Sequence, residues 1–203
     1  MNPLSDLHQD ALCEIFNIGA GRAAASLFEI IGEEVKLSVP RVQIFLSAEI
    51  DAKSLLLDSH RLGAVSQHFS GPFDADAMLL FTEERALQIV RDMMGSHVSV
   101  QDLAEYEQEA MCELGNIILN SCLSAMADVL HLELSSSLPQ YSIGSPDAIL
   151  QRLIAQTDQP VMLALHIDLT IEQRHTQGCL IFLLSTPSLK ELMVHINQFI
   201  DGL

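Results

Sequence analysis

The chain has 203 residues, enough for one substantial domain that buries roughly 70% of its unfolded surface. Its 27 acidic and 10 basic residues give a formal net charge of −17, which disfavours nucleic acid and anionic membrane surfaces as partners. The amino terminus lacks the features of a secretion signal, and no apolar stretch approaches the ~18 uncharged residues of a membrane span. The sequence therefore predicts a cytoplasmic protein without membrane insertion.

The first half is predicted to contain a helix, several strands and a second helix. An apolar arc at helical spacing predicts a helix over residues 7–28. Alternating or continuous apolar runs predict three strands, over residues 35–46, 55–57 and 77–81. Thr82 then caps a helix with acidic residues in its first turn, and Gly95 ends it.

The second half repeats that order. It contains a predicted helix over 104–130, three predicted strands and a closing helix, the last four over residues 132–142, 161–169, 178–184 and 188–199. The connector between the halves is short and polar, which predicts one domain over 1–203 made of two repeats, about 1–97 and 100–203. The predicted fold class is α+β: pseudo-two-fold helix–strands–helix units forming one largely antiparallel sheet with long helices packed on it.

The most informative feature is a set of polar residues that returns at an offset of 99 positions. The first copy consists of Asp10, Glu14 and Asn17 and the second of Glu109, Glu113 and Asn116, each followed by a proline at the same distance, Pro40 and Pro139. Positions i, i+4 and i+7 lie on one line of a helix, so each copy forms a polar ridge, which we name the first and the second ridge. The next turn carries Gly21 in the first copy, where a partner's backbone could come close, and Asn120 in the second.

A single polar stripe of this kind is usually the solvated face of an amphipathic helix. Surface substitutions typically change stability by no more than about ±0.5 kcal/mol, so stability alone does not keep the same Glu and Asn in both copies. A carboxamide can donate to and accept from a water molecule, so the ridges indicate sites that orient water. The two prolines are predicted to be structural. The eight histidines form no His-x-x-x-His or His-Glu-x-x-His pair, and no metal site is predicted.

The spacing resembles the signature of the CheC/CheX/FliY phosphatases of bacterial chemotaxis, which reads Asp or Ser, x3, Glu, x2, Asn, x22, Pro. Residues 18–39 and 117–138 are each 22 long. Two intact signatures in a chain of this length are most similar to the CheC branch of the family. The second copy departs from the pattern at Glu109, where Asp or Ser is preferred.

The resemblance implies an aspartyl-phosphate phosphatase acting on a CheY-like response regulator in two-component signalling. Asn17 and Asn116 would orient the attacking water, and Glu14 and Glu113 would bind the regulator's lysine. The remaining residues of the two ridges and of the following turn are expected to contact the partner, namely Asp10, Gly21, Glu109 and Asn120. No cofactor of its own is expected, because Mg²⁺ would be supplied by the receiver domain.

Two matters remain open at this stage. The rival interpretation is a non-catalytic adaptor, either similar to FliM or binding the receptor deamidase CheD, which is also an expected partner of CheC-like proteins. The sequence also leaves open whether both ridges are active. Intact Glu and Asn residues in both copies favour the enzyme.

Overall fold

The computed structural model describes residues 4–46, 60–94, 100–154, 161–171 and 174–202. Within these residues the helices are α1 (Asp6–Ile31), α2 (Glu83–Met94), α3 (Val100–Leu130), α4 (Pro146–Ile154) and α5 (Thr186–Asp201). The strands are β1 (Val35–Leu46), β2 (Leu62–Ser70), β3 (Ala75–Thr82), β4 (Ser135–Ser136), β5 (Gln140–Gly144), β6 (Val161–Ile171) and β7 (Arg174–Leu184). The α+β fold with one antiparallel sheet is confirmed.

Most predicted elements are present, with three differences. Strand β2 and helix α4 were missed, and the strand predicted over 132–142 is interrupted at residues 137–139, so that it becomes β4 and β5. The strand predicted over 55–57 lies outside the described residues. Thr82 caps α2 as predicted, since its Oγ1 accepts a hydrogen bond from the backbone N–H of Arg85 at 3.3 Å.

The order of the strands in the sheet shows the pseudo-two-fold relation between the two halves of the chain. The sheet runs β1-β6-β7-β3-β2, and β5 and β4 both pair with β2 at the far end. Strands 99 residues apart correspond to one another, which matches β1 with β5, β2 with β6 and β3 with β7. Corresponding strands therefore occupy equivalent places when the sheet is followed from either end. The first strand of each half pairs with a strand of the other half, β1 with β6 and β5 with β2. The repeat boundaries themselves stay a prediction.

Helix α1 shows how the sequence buries one face and exposes the other. Ser5 caps its first turn, accepting from the backbone N–H of His8 at 3.3 Å, and Gly32 ends it in the left-handed conformation with φ of 76°. Its apolar face enters the core. A Cβ atom built on Gly19 would lie 2.6 Å from the Cα of Cys122, so this glycine lets the backbones of α1 and α3 approach closely.

Helix α3 is the central helix of the protein and is strongly apolar. Among the described residues, 106–130 form the one helical segment long and apolar enough to cross a membrane by length and composition, and 56% of its apolar window is buried inside the protein. It packs against α1, α2 and β2. The expectation that no stretch approaches ~18 uncharged residues is not contradicted, because the uncharged run of this helix is bounded by Glu113 and Asp128. A helix in the middle of a protein core has the same composition.

Candidate functional site

Both ridges lie on the outer faces of the two long helices. In each copy the acidic side chains are exposed and the asparagine is half-buried, which applies to Asp10, Glu14 and Asn17 of α1 and to Glu109, Glu113 and Asn116 of α3. The structure therefore places the predicted residues of each copy together on a surface that another protein can reach. The two asparagines, however, have different surroundings.

Asn17 is held by the backbone of β1. Its Nδ2 donates to the carbonyl oxygen of Val39 at 3.1 Å and to that of Cys13 at 2.8 Å, while its Oδ1 accepts from the N–H of Val39 at 2.8 Å. A carboxamide offers two N–H donors and two acceptor lone pairs. Only one lone pair of Oδ1 remains for another molecule, because these contacts use the other three.

The position of Pro40 explains this arrangement. Proline has no N–H, and the pairing of β1 with β6 shifts register between Ser38 and Arg41. The backbone groups of Val39 are left out of the strand ladder there, and Asn17 supplies their hydrogen-bond partners. We infer that the spacing of 22 residues between Asn17 and Pro40 reflects this contact, because the side chain must reach the residue directly before the proline.

Asn116 has no such contact. Its Oδ1 accepts from Nδ2 of Asn120 at 2.7 Å, and neither of its own N–H groups has a hydrogen-bond partner in the described part of the chain. The residue before Pro139 also differs, since Leu138 is 86% exposed whereas its counterpart Val39 is 1% exposed. The asparagine of the second copy is therefore available to a partner, and that of the first is largely occupied.

The different path of the chain before β5 explains why Leu138 is exposed. The backbone N–H of Ser137 donates to the carbonyl of His68 at 2.8 Å, and Oγ of Ser137 accepts from the N–H of His68 at 3.0 Å. These bonds hold Ser137 on β2 and leave Leu138 pointing to solvent. Sequence reasoning missed Leu138, although Pro139 inside the strand predicted over 132–142 was a signal that the strand could break there.

The second ridge borders an apolar cleft of about 700 Å³. The cleft lies between the ends of α1, α2 and α3 and the segment before β5, and its exposed apolar side chains are Ile30, Met94, Tyr106 and Leu138. Glu109, Glu113 and Asn116 supply its polar groups. Such a surface combines apolar contact area with charged and amide groups in the way that protein-binding sites do.

The equivalent space in the first copy is packed. The counterparts of the cleft residues Met93 and Leu138 are Leu192 and Val39, which are 2% and 1% exposed. Helix α5 has 16 residues against the 12 of α2, and its Asn197 is bonded to the imidazole of His8 at 2.8 Å. The duplicated helices therefore present one partly closed site and one open site.

The chemistry available at the ridges is polar and non-nucleophilic. Burial raises the pKa of the thiols of Cys13 and Cys112, so both stay protonated at neutral pH and neither is a reactive thiolate. Within the described ranges, no three His, Cys, Asp or Glu side chains come together in a way that could hold a metal ion. The arrangement can bind a cation through a carboxylate and hold a water molecule through a carboxamide.

Known proteins share the fold and part of the sequence of this chain. No protein-family model matches the chain. The chain is 28% identical over 189 residues to the CheY-P phosphatase CheC of Bacillus subtilis (strain 168), a match that covers 87% of this chain and 86% of the relative.

Solved structures place the chain in one fold class. FliY of Thermotoga maritima superimposes with a TM-score of 0.78 at 20% identity, and the match covers 97% of this chain and 99% of the FliY chain. CheX of Desulfovibrio desulfuricans gives a TM-score of 0.52 at 16% identity, covering 85% and 99%. The FliM middle domain of H. pylori gives 0.57 at 12% identity, covering 95% and 99%.

The fold is therefore the duplicated α+β fold that FliY, CheX and the FliM middle domain share. Sequence identity adds to this result, because among proteins of this kind the chain is similar to CheC over most of both chains. The chain is thus similar to the CheC/CheX/FliY proteins in sequence and in fold, in agreement with the resemblance seen in its two signatures.

Proposed function

We propose that the protein is a phosphatase that accelerates hydrolysis of the aspartyl phosphate on a CheY-like receiver domain in chemotaxis. Its similarity to a CheY-P phosphatase extends over 87% of the chain, and both Glu–Asn pairs lie on accessible faces of the long helices. The observation that carries the proposal is the position of Asn116, which lines an open cleft beside exposed Glu113 and whose N–H groups have no hydrogen-bond partner among the described residues.

The proposed chemistry asks little of the phosphatase. An acyl phosphate has a good leaving group, so catalysis depends on placing a water molecule in line with the phosphorus. The carboxamide of Asn116 has two donors and one lone pair available to fix the direction of that water. The exposed carboxylate of Glu113 would pair with the receiver's lysine and hold the two proteins in register.

Mg²⁺ held by the receiver would neutralise the phosphoryl oxygens when the two proteins meet. In this proposal the receiver holds the metal and this chain does not. Each ridge offers carboxylates and one amide, and no metal-binding cluster is found among the described residues. The receptor deamidase CheD stays a proposed second partner.

The second ridge is proposed to carry the larger share of the activity. Asn17 retains one free lone pair and cannot rotate without breaking three hydrogen bonds to backbone groups. In the described part of the chain the side chain of Asn116 makes a single hydrogen bond, to Asn120, and Asn116 lines an apolar cleft. Both amides could orient water, but only the second can donate to it.

The rival proposal is a non-catalytic adaptor, and one observation favours it. The contact between Asn17 and Val39 gives the first asparagine a structural role, so its presence does not by itself require catalysis. The FliM middle domain also shares the fold. The adaptor would bind a phosphorylated receiver, or CheD, without changing the lifetime of the phosphate.

A direct assay separates the two proposals. A CheY-like receiver is phosphorylated with acetyl phosphate in the presence of Mg²⁺, excess donor is removed, and the decay of the phosphate is followed with and without this protein. The phosphatase proposal predicts faster decay with the protein present in less than stoichiometric amounts. Binding of the phosphorylated receiver without faster decay would select the adaptor.

The cleft gives a separate prediction about recognition. Replacing Leu138 with serine is expected to raise the KM for the phosphorylated receiver several-fold and to leave kcat unchanged, because an exposed apolar contact is removed at the rim. Leu138 is 86% exposed, so the free energy of unfolding should change by no more than about 0.5 kcal/mol.

The matched control for this change is Val194→Ser on α5, which removes another exposed apolar side chain away from the cleft. Its KM should equal that of the unmodified protein. Equal KM values for both variants would contradict a docking role for the cleft.

A further inference from the structure

The two copies differ at the turn that follows each ridge. A Cβ atom on Gly21 would meet nothing within 4 Å, so the first copy has open space at this position. Its counterpart Asn120 is half-buried, and its Nδ2 lies 2.7 Å from Oδ1 of Asn116. The second copy therefore places an additional amide directly behind the asparagine that faces the cleft.

We infer that Asn120 is a positioning residue that fixes the carboxamide of Asn116 with its N–H groups toward the cleft. This inference rests on the proposed function and assigns part of its mechanism to one side chain. The terminal torsion of asparagine is broad and roughly two-fold, so an amide without partners rotates readily. A bond from Asn120 to Oδ1 sets which end of the amide a partner meets.

The first copy solves the same problem in another way. The backbone of Val39 and Cys13 orients Asn17, and this contact is missing in the second copy because Leu138 points to solvent. Asn120 takes over the orienting role from a neighbouring turn of the same helix, at the i+4 spacing at which side chains meet. The two amides consequently present opposite ends, an acceptor in the first copy and donors in the second.

The placement of Asn120 argues against the docking role expected from the sequence. Asn116, Glu113 and Glu109 line the cleft, whereas Asn120 does not. The one hydrogen bond that its side chain makes to a described residue runs to Asn116. A residue that acts only through another should change the rate of the bound complex and leave the affinity for the partner unaltered.

Two substitutions test this assignment in the full chain. Asn120→Asp keeps the size of the side chain but removes the donor, and its carboxylate would attract the N–H groups of Asn116 away from the cleft. Asn120→Ala removes the contact and favours the helix. Both variants are expected to lower kcat for receiver dephosphorylation roughly tenfold or more, the scale of a small misplacement of a reacting group, with KM unchanged.

The matched control is Gln88→Ala in α2. It removes a side-chain amide that donates to Asp92 at 3.1 Å with the same i+4 spacing and does not line the cleft, and kcat should stay at the level of the unmodified protein. A raised KM with unchanged kcat in the Asn120 variants would show a docking contact and overturn the assignment. Unchanged kcat and KM would overturn it equally.

A spectroscopic measurement keeps this test separate from the proposed function. In ¹⁵N-labelled protein without a partner, the side-chain amide signals of Asn116 should shift in both Asn120 variants and remain in place in Gln88→Ala. Unshifted signals would refute the contact itself. If the unmodified protein fails to accelerate receiver decay while the signals shift, the proposed function fails and the orienting contact stands.

Discussion

Replacing Asn116 with alanine is expected to lower the stimulated rate of receiver dephosphorylation about a hundredfold, the scale on which loss of one preorganised donor reduces kcat. The reason is that Asn116 holds the free N–H groups at the open cleft. Its loss should change the free energy of unfolding by only about 1 kcal/mol, because a single side-chain hydrogen bond disappears. Single-turnover decay of the phosphorylated receiver, measured beside denaturant unfolding, checks both values.

Asn17→Ala is the matched comparison. It should lower the free energy of unfolding more than Asn116→Ala does and lower kcat less. It leaves the N–H and carbonyl of Val39 without their side-chain partner, next to a buried side chain, and a buried unsatisfied group costs about 1–3 kcal/mol. Its effect on kcat should be smaller than that of Asn116→Ala. The double variant should show no stimulated dephosphorylation, and full activity in that variant would refute the proposed mechanism.

The two single variants also decide between the copies. An equal loss of activity in both would show that the first ridge works as well as the second, despite the contact that holds Asn17. A larger loss in Asn17→Ala, with stability unchanged, would reverse the proposed order of the two sites. Either result would mean that Asn17 acts through its remaining lone pair or that β1 releases it when a receiver binds.

The spacing of polar residues was sufficient to predict the ridges. Helical periodicity alone puts Glu113 and Asn116 on one exposed line, and the structure agrees because α3 buries its opposite face against α1 and β2. The difference between the copies was not predictable in this way. Val39 and Leu138 are both apolar residues before a proline, and their opposite burial depends on how each segment meets a strand from the other half.

The missed elements have similar causes. Strand β2 has the sequence Leu-Gly-Ala-Val-Ser-Gln-His-Phe-Ser, in which small and polar residues hide the strand pattern. It forms because β3 pairs with it along its whole length, and because β5 covers the first part of its other edge. Gly115 of α3 packs directly on Val65 of this strand, a requirement that only the folded chain reveals. Pairing with strands distant in sequence thus determines that these residues form a strand, which their local sequence did not indicate.

Two glycines within one turn of α1 give the second large effect. Gly19→Ala is expected to destabilise the protein by about 1–3 kcal/mol or more, because overpacking a tight core contact forces shifts in its surroundings. The new Cβ would lie 2.6 Å from the Cα of Cys122 and 2.8 Å from the carbonyl oxygen of Ser121, and neither backbone atom can move without displacing α3.

Gly21→Ala should do the reverse. A Cβ there meets nothing within 4 Å, and alanine is favoured over glycine in a helix interior by up to about 1 kcal/mol. Denaturant unfolding of the two variants therefore should show changes of opposite sign at positions two residues apart, and destabilisation by both would contradict the packing described for α1.

Measuring receiver binding by the Gly21→Ala variant tests whether the first ridge contacts the partner. The fold gains from alanine at position 21, so any weakening of receiver binding in Gly21→Ala must come from contact with the partner and not from damage to the protein. Such weakening would show that a partner's backbone comes close to the first ridge even though Asn17 is occupied by Val39. Unchanged binding would assign recognition to the second ridge and its cleft, and α1 would then serve mainly to support the core on which α3 lies.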